Sequence, residues 1–267
     1  MPMLWQPFNF KIILDKRFKN FCEIIRNGST SDSQVSHTKK LIQLEILPAK
    51  TKNQTLLQDY TSKQIRYGEL YFNLQILRLQ FFYNDDDFDV LHCLNILLIN
   101  IIKLLGLQFQ TFLLHSATVI KKKEAFVIPG KQGRGKTTLS QNLKKYSILN
   151  DDLSLIVKEA RNWVVYKIPD PLHLLKTDPF LWQGPFSIKK IIFIRNNYKE
   201  KLKKLVTDNA FTAFFEENPS LFVANHNIDQ QNMYQNLIKD LITNTDSFLV
   251  SYTPDTDSKF LRELQQS

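Results

Sequence analysis

Three stretches of this chain carry residue types and spacings suited to chemistry: His115, the run "GKQGRGKT" from Gly130 to Thr137, and the pair Asp151-Asp152. The run holds Gly130, Gly133 and Gly135, three of only seven glycines in the chain. Glycines concentrated this way let the backbone turn so that successive amide hydrogens face inward as an anion nest. The run fits G-x-x-x-x-G-K-[ST], a loop that cradles nucleotide phosphates when a strand enters it and a helix leaves it. In that pattern Lys136 reaches the β- and γ-phosphates, and Thr137 ligates Mg2+ through its hydroxyl, with Thr138 as the adjacent hydroxyl. The main chain at Lys131, Gln132 and Arg134 completes the cradle. The expected ligands are a nucleoside triphosphate, taken as ATP, and Mg2+.

The loop says that a polyphosphate is bound, not what is done to it. Asp151-Asp152 follow the short run "SILN", at a place where strand ends meet phosphates in an open α/β sheet. A carboxylate there can hold Mg2+ through water or accept a proton from an attacking hydroxyl. Two of them beside a lysine and a histidine can divide those jobs. His115, on the strand before the loop, would reach the same end of the sheet through a hairpin turn at "KKKE". Taken singly, His115 reads as an ordinary strand histidine and Asp151-Asp152 as a turn; their joint placement around the loop favours chemistry. Ser116 makes no catalytic pair with His115, because strand neighbours face opposite ways. His173 and His226 lack partners at metal spacing, and Trp163, Trp182 and Phe193 read as core. Glu216-Glu217, at a helix end, read as solvent-facing.

The elements that must position these residues follow from periodicity. "FLLHSATVI" and "AFVIP" are strands that deliver the chain into the loop, and "KTTLSQNLKKY" leaves it as a helix with Leu139 and Leu143 at i, i+4. Further downstream come a hairpin in "LSLIVKEARNWVVYKI", a proline-rich loop, a strand in "KKIIFIR", helices over 207–217 and 230–243, and a strand in "SFLVSY". Upstream, a helix over about 88–105 stops near Gly106. "LIQLEILP" and the run over 69–83 are β-leaning, and "NGSTSDSQVSHTKK" is a loop. Asp85-Asp86-Asp87 read as helix-capping residues rather than a metal cluster. The chain therefore divides into a small β-rich N-terminal region, 1–85, suited to placing a substrate, and an α/β domain, 86–267.

The stretch "LLHSATVIKKKEAFVIPGKQGRGKTTLSQNLKKYSILNDDLSLI" resembles the core of the HPr kinase/phosphorylase family of P-loop kinases. The wider match, over about residues 70–265, is with the family's short relatives, which include kinases that tailor lasso peptides. The resemblance implies a mixed sheet flanked by helices. It also implies that Lys136 and Thr137 hold phosphate and metal, and that one of Asp151 and Asp152 is the base for the acceptor hydroxyl. Asp152 is preferred as the base and Asp151 as the metal partner, with His115 orienting the pair. Lys176, in "PLHLLK", falls where some relatives carry a basic residue, and could clamp phosphate or substrate; a solvated loop lysine is the plainer reading. Asn150 stands where alanine is usual, and the family's C-terminal signature segment is not recognisable. The resemblance therefore does not carry over phosphorylase activity or HPr as acceptor, and leaves both open.

Composition bounds the remainder. A hydrophobic share of 43% over 267 residues can build a packed core, so a disordered chain is excluded. The net charge of +9 is spread over scattered lysines with short runs at Lys121–Lys123 and Lys199–Lys204, which argues against a nucleic-acid surface. Two unpaired-looking cysteines, Cys22 and Cys93, suit a reducing cytosol. The apolar stretch 90–114 is interrupted by His92, Asn95, Asn100 and Lys103, so a membrane span is not expected. A homo-oligomer fits the resemblance, and no surface patch decides it. The expectation is a cytoplasmic ATP-dependent kinase acting on a serine or other hydroxyl of a peptide or protein, such as a peptide-natural-product precursor. The alternatives are a P-loop nucleotide hydrolase or phosphohydrolase, and a non-catalytic nucleotide-sensing module.

Overall fold

The alternating and continuous apolar runs of the sequence fold into two β-sheets, and runs with helical spacing pack on both faces of the second. This computed structural model describes residues 2–5, 8–14, 41–84, 90–143, 145–168, 184–195, 201–218 and 228–251. The described residues form a mixed α/β structure with two compact units, one up to Ile101 and one from Ile102. The division falls inside helix α1 (Val90–Leu105). The Asp85-Asp86-Asp87 run falls outside the described residues, as does the whole loop over 27–40.

The first unit is a six-stranded sheet of β1 (Pro2–Trp5), β2 (Phe8–Leu14), β3 (Leu41–Pro48), β4 (Thr61–Ile65), β5 (Gly68–Asn73) and β6 (Arg78–Tyr83). Their order is β1-β2-β3-β6-β5-β4. The run over 69–83, read as one β-leaning stretch, is a hairpin of β5 and β6. The turn between them holds Leu77 buried at a φ of 51°. Alternation in β6 buries Leu79 and Phe81 and exposes Arg78, as its sequence requires.

The second unit contains β7 (Thr111–Lys121), β8 (Glu124–Pro129), α2 (Lys136–Asn142), β9 (Ser147–Asn150), β10 (Leu153–Glu159), β11 (Asn162–Tyr166), β12 (Phe186–Ile194), β13 (Lys201–Lys204), α3 (Thr207–Glu217), α4 (Ile228–Thr243) and β14 (Asp246–Ser251). The main sheet order is β11-β10-β7-β8-β12-β14-β13, with β9 also paired to β7. β11 meets the start of β12 as well, so that β11, β10, β7, β8 and β12 close into a ring. The run "KLKK", read as a short basic stretch, is the edge strand β13, antiparallel to β14; lysines on an edge discourage further pairing.

β7 is buried along most of its length because both of its faces are covered. On one face Leu139 and Leu143 of α2 pack against Ala117, Val119, Phe126 and Ile128. On the other, Phe214 of α3 and Tyr234, Ile238, Leu241 and Ile242 of α4 pack against Phe112, Val127, Ile156, Trp163 and Phe193. Deleting a buried ring such as Phe214 costs about 3–5 kcal/mol.

α4 is fastened to this core by a polar contact as well as an apolar one. Asp240 accepts hydrogen bonds from the Trp163 indole and the Lys158 ammonium, both at 2.9 Å. Burial pushes the Asp240 carboxyl upward, but the bonds from Lys158 and Trp163 outweigh it and leave it below the ordinary 3.8. A carboxylate held below its unfolded value stabilises the fold above that value and loses the contribution as pH falls through the folded one. Asp240→Asn is expected to cost about 1 kcal/mol at neutral pH, the contact being partly exposed. In thermal melts the gap to wild type should close as pH drops below 3.8. No helix among the described residues is long and apolar enough to cross a membrane.

Candidate functional site

Backbone register alone assembles the site. β7 is antiparallel to β8 on one side, where Ser116 faces Pro129 and the Gly130 amide donates to the His115 carbonyl at 3.2 Å. On its other side β7 is antiparallel to β9 and β10, with Thr118 opposite Asn150 and Leu153 opposite His115. His115 is thus the hinge residue of the arrangement, with the glycine loop on one flank and Asp151-Asp152 on the other. The Ser116 amide closes the second flank by donating to the Asp152 carbonyl at 3.1 Å.

Regular alternation would turn Asp152 to the same face as Ser116, its opposite number across the ladder. The chain instead bends at Asp151 and Asp152 between β9 and β10. Asp152 Oδ1 accordingly lies 2.7 Å from His115 Nε2. Ser116 keeps to the buried face, where its hydroxyl donates to Ser154 at 2.8 Å and Thr118 contacts the same hydroxyl at 2.8 Å. Asn150 extends this buried polar layer: its amide donates to the Tyr166 carbonyl at 3.1 Å and its Oδ1 accepts the Ile168 amide at 3.2 Å. The asparagine that departs from the resemblance therefore anchors the chain just ahead of the two aspartates. Only its burial explains the choice of an amide there, and burial is not visible in the local sequence.

Lys136 is buried at the start of α2. Its ammonium donates to the carbonyls of Gly130 at 2.8 Å and Lys131 at 3.0 Å, and lies 3.4 Å from His115 Nε2. Burial pushes this ammonium below the ordinary 10.5, against the opposing pull of Asp152, Asp151 and Glu217. His115 Nε2 is thus shared between Asp152 Oδ1 and the Lys136 ammonium.

Gly133 and Gly135 adopt φ values of 79° and 87°, in the left-handed region where glycine is favoured. A side chain at Gly133 would meet nothing within 4 Å, so the loop is open there. Lys131, Gln132 and Thr137 are exposed, with Arg134 and Thr138 half-buried. Asp151 and Asp152 are exposed too, Asp152 to 85% of its side chain. This set fits a polyphosphate: an open glycine loop, a buried ammonium, and exposed oxygens that would meet a metal arriving with the phosphates. Mg2+ is ordinarily held by one or two carboxylates plus phosphate oxygens and water; Asp151 is such a carboxylate, and the exposed Thr137 would add its hydroxyl. Lys176 lies outside the described residues, as do His173, Trp182 and His226.

One expectation is corrected. Glu216 is exposed, but Glu217 is buried to 9% side-chain exposure against the glycine loop. Its Oε2 accepts the Lys131 amide and Arg134 Nε, each at 3.1 Å, and its Oε1 pairs with Arg134 Nη2 at 3.0 Å. The last turn of α3 can bring it there because Phe214, one turn earlier, is locked in the core. A helix-end glutamate carries no sequence mark of such a partner.

Among solved structures, the Hpr(Ser) kinase/phosphatase from Coxiella burnetii is similar to this chain at 11% identity and a TM-score of 0.29. The match spans 58% of this chain and 92% of that one. The similarity is remote. No family model matches the chain, and no curated protein does.

Proposed function

We propose that this chain is an ATP-dependent kinase that passes the γ-phosphate to a serine or other hydroxyl of a peptide or protein. The observation that carries the reading is the contact chain Asp152–His115–Lys136 beside the open glycine loop. It gathers a carboxylate and an ammonium at one imidazole nitrogen, Nε2, where an acceptor and a phosphate donor can meet.

The glycine loop from Gly130 to Thr137 and the Lys136 ammonium bind the triphosphate. Mg2+, held by Thr137 and Asp151 with the phosphates, would neutralise part of the charge on the phosphoryl group. Asp152 is the base: Oδ1 is engaged by His115, which leaves Oδ2 to take the proton of the acceptor hydroxyl. The acceptor oxygen forms its bond to the γ-phosphorus as the bond to the bridging oxygen breaks, and the electron pair leaves with ADP. Lys136 stabilises the charge that shifts toward the leaving phosphates. His115 orients Asp152 throughout.

Intact-mass analysis of candidate peptides incubated with Mg2+ and ATP tests this. The acceptor should gain one phosphate with wild-type protein and none with Asp152→Asn. Release of free phosphate at a rate that no acceptor alters would overturn the kinase reading in favour of a hydrolase.

A further inference from the structure

The carboxylate of Glu217 has three donors for its two oxygens, and all three belong to one turn of the glycine loop. That turn runs from Lys131 to Arg134 and is closed by the Arg134 amide donating to the Lys131 carbonyl at 3.3 Å. Glu217 binds both of its ends, the Lys131 amide and the Arg134 guanidinium. The Lys131 carbonyl at the near end is also one of the two that hold the Lys136 ammonium. A line of contacts therefore runs from α3 through the loop to Lys136, and on through His115 to Asp152.

Two alternatives for Arg134 separate on charge. A free guanidinium in the loop would be a second cation for the phosphates. Paired with Glu217 at two points, its charge is offset and its Nε–Nη2 edge is engaged. Burying a carboxylate is costly unless its lone pairs are satisfied, and here the loop itself satisfies them. Gly130 belongs to the same assembly: a methyl group there would sit 3.4 Å from Arg134 Cβ and 3.5 Å from Glu217 Oε2.

We propose that Glu217 is a positioning residue for the phosphate-binding loop, bracing through Arg134 and the Lys131 amide the turn whose carbonyl holds Lys136. The inference rests on the reading that this loop binds nucleotide. Arg134 then serves the loop's shape, and Lys136 remains the buried cation that meets phosphate.

The test compares wild type, Glu217→Gln and Val157→Ala, a control that weakens the buried far end of β10, opposite Thr111, without touching α3 or the loop. Hydrogen exchange of residues 130–136 is measured without nucleotide, and ATP affinity by titration with Mg2+ well below the melting temperature. Glu217→Gln should speed exchange in the loop and weaken ATP binding about tenfold, as expected for a coupled contact. In turnover it should raise the KM for ATP more than it lowers kcat. Val157→Ala should melt lower while leaving loop exchange and ATP affinity at the wild-type level. Unchanged loop exchange in Glu217→Gln, or an equal change in Val157→Ala, would overturn the brace. Failure of wild type to bind ATP, with loop exchange still faster in Glu217→Gln, would overturn the nucleotide reading and leave the brace standing.

Discussion

Replacing Asp152 by asparagine is expected to lower kcat for phosphoryl transfer by about 10²–10⁴-fold while leaving ATP affinity close to wild type. Asparagine keeps the size of the side chain and can still accept from His115 Nε2, so the geometry of the bend survives. What it lacks is an oxygen basic enough to receive the acceptor's proton. The exposed setting of Asp152 makes the substitution mild for folding, because nothing packs on it that a neutral amide would disturb. The matching change at Asp151 should behave differently, raising the Mg2+ requirement more than it reduces the limiting rate. Steady-state kinetics across a Mg2+ series separates the two. Equal losses in both variants with the same Mg2+ dependence would defeat the division of labour proposed for the pair.

Lys136→Met should have the second large effect, lowering turnover by about 10²–10³-fold and weakening ATP binding as well. On the proposed reading this residue, unlike Asp152, meets phosphate in the bound state and in the transition state alike, so both parameters should suffer. Its effect on stability runs the other way from a usual core substitution. Burial holds the ammonium below its ordinary 10.5, so the unfolded chain binds that proton more tightly than the folded one. Stability of the wild type therefore rises with pH through the window below 10.5, and Lys136→Met lacks that rise. Thermal melts of the two proteins across alkaline pH should converge or cross in favour of wild type. Parallel curves would mean that the ammonium is not strained by its surroundings.

Both expectations rest on a site that was unevenly legible in the sequence. The glycine loop announced itself because its chemistry is local: three glycines, a lysine and a threonine within eight residues need no distant partner to be recognised. The strands before it and the helix after it were equally local, since apolar runs and an i, i+4 pair state their own period. Glu217 and Asn150 were opaque for the opposite reason. Each satisfies a buried partner far along the chain, Arg134 in one case and the main chain of Tyr166 and Ile168 in the other. Composition carries no trace of such long-range pairing. The break within 69–83 was missed because both halves of a hairpin favour strand, and its turn carries no glycine or proline.

By itself, then, the sequence determined the mixed α/β class, the loop, and the identity of the charged residues that could serve it. Tertiary structure decided which of those residues meet. The register of β7 against β8 and β10 brings His115 between the loop and the aspartates. A bend at Asp151-Asp152 overrides strand alternation and gives His115 the carboxylate of Asp152. Period and composition are properties of neighbours along a chain, whereas a register or a bend is fixed by every strand that packs against it.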